Sequence, residues 1–138
     1  MRIRLLSPLF SAKAEPARFR PFHALGALLL TALLQAATLP RGEVIPKVVC
    51  EADRAFSYAL YLPTGYREDR PAPVLFGFSP GGTGVEPVEL FQEAAERSGY
   101  IVAGSNDSRN GQVALSARAR EAMWKDVHAR FKVDPARS

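Results

Sequence analysis

Cysteine occurs once in the 138 residues, tryptophan once and histidine twice. A lone Cys50 excludes a disulfide framework within the chain. His23 and His128 have no ligand-spaced companion, so no metal centre is expected. An uninterrupted apolar run of about 20 residues, the length of an unstrained membrane-spanning helix, is also missing. So is a basic excess over most of the chain. The net charge of +4 sits within residues 1–37, where Arg2, Arg4, Lys13, Arg18 and Arg20 face only Glu15. Residues 38–138 carry 13 basic and 13 acidic side chains, a balance that argues against a nucleic-acid partner.

What is present fits one small folded domain. With 47% hydrophobic and 23% charged residues the chain can bury a core and is not a disordered tail. Its basic stretch, Met1–His23, is followed by a short apolar run, Ala24–Leu34. Charge followed by a short apolar segment is the pattern of an export signal. Residues 1–37 therefore read as a signal peptide, with cleavage near Ala36-Ala37, and the product as periplasmic or secreted. The alternative is an N-terminal membrane anchor over residues 24–39, the chain's sole expected contact with a membrane. Cys50 lies too far beyond the apolar run for a lipoprotein and reads as a small buried hydrophobe.

Strand and helix patterns then alternate. Lys47–Cys50 can open a strand, and Ala55–Leu62 alternates Phe56, Tyr58, Leu60 and Leu62 with Ser57, Ala59 and Tyr61, the period of a β-strand. Val74–Phe78 is a continuous apolar run between Pro73 and Pro80, which predicts a strand buried on both faces of a parallel sheet. A helix is expected from about Glu86 to Gly99, with Val88, Phe91, Ala94 and Ala95 on one face. Tyr100–Gly104 predicts a short buried strand. Ser116 is positioned to cap a last helix whose Ala119, Met123, Val127 and Phe131 face inward, and Pro135 lies beyond its end. Trp124 is expected in the core, Asp126 on the helix surface, and His128 on the surface or partly packed. The fold class is α/β, with about four strands and two helices. Ser138 falls where a further strand is expected, so residues 38–138 read as the front part of a larger domain with an open sheet edge.

The loop after Val74–Phe78 carries the candidate chemistry. Gly77-Phe78-Ser79-Pro80-Gly81 is a literal Gly-x-Ser-x-Gly, the pattern that presents a nucleophilic serine on a strand-to-helix turn. Ser79 is thus the candidate nucleophile, and two facts oppose it. Pro80 has no N–H for the oxyanion hole, and a residue before proline is driven to extended backbone rather than to the strained elbow. Gly81 and Gly82 are the better candidates, as backbone amides for an acyl oxyanion. Gly82-Thr83-Gly84 lacks the third glycine of a dinucleotide loop, and no Lys-Ser/Thr pair makes a phosphate loop, so no cofactor is expected.

Several segments, in order, resemble a known family. Tyr58-Ala59-Leu60-Tyr61-Leu62-Pro63-Thr64-Gly65-Tyr66 looks like the entry of secreted α/β-hydrolase esterases of the dienelactone-hydrolase and polyhydroxybutyrate-depolymerase-like groups. Pro73–Phe78 is similar to the family's third strand, and Ser79–Gly84 to its oxyanion loop, where relatives often read His-Gly in place of Ser79-Pro80. Glu93–Val102 resembles the next helix and strand, Gly104–Gly111 the loop after it, and Phe131–Arg137 the lead-in to the fifth strand. The resemblance implies an N-terminal portion of an α/β-hydrolase sheet that stops before the nucleophile elbow, with the catalytic acid and histidine later still. It implies an exported serine esterase or acyl hydrolase acting on a small-molecule ester, this portion being inactive alone. The alternative is a non-catalytic exported binding or interaction module that pairs a partner strand at the open sheet edge.

Overall fold

A computed structural model of the protein describes residues 39–138. The expected leader therefore lies outside the described residues, apart from Leu39 at the end of the 24–39 span. Among the described residues four strands and two helices follow one another: β1 (Val44–Val49), β2 (Ser57–Tyr61), β3 (Val74–Phe78), α1 (Val85–Ser98), β4 (Ile101–Ser105) and α2 (Val113–Arg130). Alternating apolar segments and amphipathic helices thus produce the α/β class expected of them. Among the described residues, no helix is long and apolar enough to cross a membrane.

The sheet order is β1-β2-β4-β3. Only β3 and β4 are parallel, Val74 opposite Ile101 through Phe78 opposite Ser105. β2 runs antiparallel to both β4 and β1, with an irregular register between Ile45 and Val48. The α1 crossover joins β3 to β4, as a parallel pair requires. Gly99 ends α1, its N–H returning to the Ala95 carbonyl at 2.8 Å.

Two cores lie on the two faces of the sheet. The larger packs α2 through Ala119, Ala122, Met123, Val127 and Phe131 onto Tyr58, Leu60, Ile101 and Ala103. Fully burying a side chain of that size contributes about 1.5–3 kcal/mol. The smaller core packs Val88 and Ala95 of α1 onto Ala59, Tyr61 and Val102. Here helix and sheet approach through glycine. A Cβ on Gly104 would sit 2.0 Å from the Gly84 carbonyl oxygen, and one on Gly84 would sit 2.1 Å from the Gly104 carbonyl oxygen. Neither partner is a side chain that can swing aside, so both positions exclude any other residue.

Several expectations need correction. β1 begins at Val44, before Lys47, because β2 offers it partners as far as Tyr61. β3 is not covered on both faces along its length: it is the outermost named strand, and Phe78 is 47% exposed. Phe91 and Ala94 of α1 are exposed, the contact stripe being Pro87, Val88 and Ala95. α2 starts at Val113, so Ser116 lies inside its first turn. Ser116 Oγ instead donates to the Arg109 carbonyl and accepts the Arg109 N–H, each at 3.0 Å. Trp124 is exposed and Asp126 buried, the reverse of what was expected. Phe131 and Cys50 are buried as expected.

Candidate functional site

Ligands of open α/β sheets sit beyond the carboxyl ends of parallel strands, where loops rather than side-chain layers cover the sheet. In this chain the loops after β3 and β4 meet there. The β3 loop is a turn in which the Gly82 N–H donates to the Ser79 carbonyl at 3.1 Å. Gly82 has φ +76°, a conformation side chains rarely adopt, and the stem of Arg109 lies against it. Asn106, just after β4, ties the loops together. Its Oδ1 accepts the Gly84 N–H at 3.1 Å, and its Nδ2 donates to the Pro46 carbonyl and to Ser57 Oγ. The Asn110 N–H adds a bond to the Pro80 carbonyl at 3.1 Å.

Ser79 is buried in this assembly. Its hydroxyl donates to Glu86 Oε2 at 2.6 Å, and its oxygen accepts the Gly81 N–H at 3.3 Å. Among the described residues only glycines have positive φ, so Ser79 lacks the strained backbone of a nucleophile elbow. Nor, among the described residues, is a histidine beside it. His128 lies on α2, stacked on Phe76 and tilted against Trp124, with Nδ1 2.8 Å from the Trp124 carbonyl. Asp107 accepts the Ser57 N–H at 2.8 Å and serves the loop.

Gly81 and Gly82 differ in what their amides can do. The Gly82 amide is engaged by the turn, whereas the 3.3 Å bond from Gly81 is beyond the usual N–H···O range and is easily exchanged. Beside the loop opens a cavity of about 570 Å³, lined by Phe78, Ser79, Pro80, Ser108, Arg109 and Arg120 among others. Sequence reasoning missed its far wall, because Ser108 and the first turns of α2 reach it only through the β4 loop.

The other polar clusters are structural. Asp126, buried on α2, accepts the Tyr58 hydroxyl at 2.8 Å, the Glu51 N–H at 2.8 Å and Arg130 Nε at 2.6 Å. Burial, and the hydroxyl's bond to that carboxylate, drive the Tyr58 pKa up. Burial and the neighbouring Asp126 also push the Cys50 thiol up to about 11, which keeps it protonated and inert. Among the described residues no cluster of histidine, cysteine and carboxylate side chains is suited to a metal ion. Compared with known proteins, the chain matches no family model and no curated protein.

Proposed function

We propose that this protein is an exported serine esterase or acyl hydrolase of α/β-hydrolase type, and that the described domain is its oxyanion-loop portion. The Gly81 amide supplies one hydrogen bond to the acyl oxygen as it becomes an oxyanion. The adjoining cavity receives part of a small ester. The nucleophile, the catalytic acid and the histidine lie outside residues 39–138, and residues 1–37 direct export. One observation carries the reading: a glycine turn with an exchangeable amide stands at the carboxyl end of β3, beside a cavity of ligand size. The sheet order supports it by setting the β3 and β4 loops side by side.

On this reading Ser79 positions the loop through Glu86 and is not the attacking group. The purified 138-residue chain is expected to give no hydrolysis of p-nitrophenyl acetate above buffer, and Ser79→Ala is expected to change nothing in that assay. Turnover that Ser79→Ala abolishes would overturn the assignment.

A further inference from the structure

Two groups of large apolar side chains are exposed to solvent, and the charge around them differs. On α1, Leu90 is 75% exposed and has Phe91 beside it, between the exposed carboxylates of Glu89 and Glu93. The second group stands on the rim of the cavity. Val113 is 81% exposed, Phe78 is also exposed, and both line the cavity. Ala114, Leu115 and Ala117 continue the exposed apolar surface over the first turns of α2. Here the charge is basic. Residues 108–120 contain Arg109, Arg118 and Arg120 and no acidic residue, and no residue lining the cavity is acidic.

The helix orders these groups by depth. Val113, Ala117 and Arg120 follow one another at i, i+4 and i+7, so they share one stripe, and all three line the cavity. Leu115 and Arg118, three apart, form a second stripe. On both stripes the apolar residue comes first and the guanidinium later, Arg120 about 10 Å behind Val113 along the axis. Ser116, bonded to both the N–H and the carbonyl of Arg109, brings a third guanidinium to the same turns. Arg118 shares its charge with Asp53 at 3.2 Å, whereas Arg109 and Arg120 make no ion pair among the described residues.

An apolar tip with an arginine collar matches the layers of a bilayer surface, where acyl chains lie beneath a plane of phosphates. We infer that this rim docks on an anionic lipid surface, with Phe78 and the first turn of α2 at the acyl boundary and Arg109 and Arg120 among the phosphates. The charge selects the occupant. A neutral surface leaves two guanidiniums without partners, and an anionic one supplies them. A protein partner would need a matching groove for Val113 and Leu115, whereas acyl chains conform to them. The acidic surroundings of Leu90 make the α1 group the internal control. Phe78 and Val113 belong both to the rim and to the cavity, so docking sets the cavity against the lipid. The inference does not rest on the acyl-hydrolase reading, because docking requires no reaction and the two fail separately.

A local probe on the full chain tests it. Val113→Cys is labelled with a nitrobenzoxadiazole fluorophore, and Leu90→Cys is labelled in a second preparation. Cys50 is fully buried and does not take the label. Each is mixed with phosphatidylcholine vesicles, with or without a third of phosphatidylglycerol, and membrane-seated and solvent-exposed probe are separated by fluorescence lifetime. The leader is common to every form, so only differences between labels, lipids and variants are read. With phosphatidylglycerol the probe at position 113 is expected to become membrane-seated and the probe at position 90 to stay in solvent. Arg120→Gln is expected to lower the seated-to-exposed ratio at position 113 about fivefold, equivalent to about 1 kcal/mol. Arg109→Gln is expected to do the same in its own preparation. A probe at position 113 that stays in solvent would overturn the inference. So would equal seating with neutral vesicles, equal seating at position 90, or an unchanged ratio in both arginine variants. A response to a polyglutamate peptide but to neither vesicle would also overturn it, and would make an acidic protein the partner.

Discussion

The two edges of the sheet solve opposite problems. At β1 the strand is short of flat, regular pairing: Pro46 cannot donate, Lys47 is charged and exposed, and the register shifts before Val48. Its end is then fastened from within the fold, where Asp126 accepts the Glu51 N–H and Arg130 donates to the Val49 carbonyl at 3.2 Å. At β3 the sequence is Val-Leu-Phe-Gly-Phe, without proline or charge. Its outer side is paired up to Val74 and open beyond. The lesson is that apolar content does not tell an edge from a centre. The edge devices do, and only β1 has them.

Substitutions separate the two edges, starting with what both share. Gly104→Ala places a Cβ against the Gly84 backbone. It is expected to cost about 3 kcal/mol or more, and loss of the cooperative thermal transition would register it. Asp126→Ala attacks the fastened edge alone. It leaves Arg130 with only the exposed Glu51 carboxylate and the Tyr58 hydroxyl and Glu51 N–H without their acceptor. Arg130 is partly solvated, so a loss of about 2–3 kcal/mol is expected, read by urea denaturation. Faster amide exchange at Glu51 than at β4 would place the loss at the β1 end.

A smaller effect follows from pH at the same end. Cys50 has its pKa raised from 9.0 to about 11 in the fold, and Tyr58 is raised as well. A raised acid contributes stability below its unfolded pKa and loses that contribution as pH climbs through the folded one. The melting temperature is therefore expected to fall as pH rises from about 9 to about 11. Cys50→Ala is expected to flatten the first part of that fall. A melting temperature constant over the window would contradict the burial of both groups.

How far these features were legible in the sequence varies with the physics behind each. β3 was readable to its last residue because an unbroken apolar run between prolines has no competing pattern. Its place at the edge was not, because β4, later in sequence, inserts between β2 and β3. On α2 the inward face was readable from Ala119, Met123, Val127 and Phe131. Asp126 shares that stripe, being seven residues from Ala119 and three from Met123, and the spacing held the signal. Reading charge as solvated obscured it, since the partner hydroxyl of Tyr58 is 68 positions away in sequence. Trp124 follows Met123 directly, which turns it about 100° off the stripe and into solvent. At the candidate site, Pro80 already argued against Ser79 as nucleophile. The Glu86 carboxylate that holds its hydroxyl was not foreseen, though it lies in the first turn of the helix that follows.

Covalent labelling by a fluorophosphonate of the protein recovered from cells that produce it, with the modified residue mapped by mass spectrometry, tests the acyl-hydrolase proposal. One labelled serine is expected, outside residues 39–138. Label on Ser79, or no labelled serine at all, would contradict it.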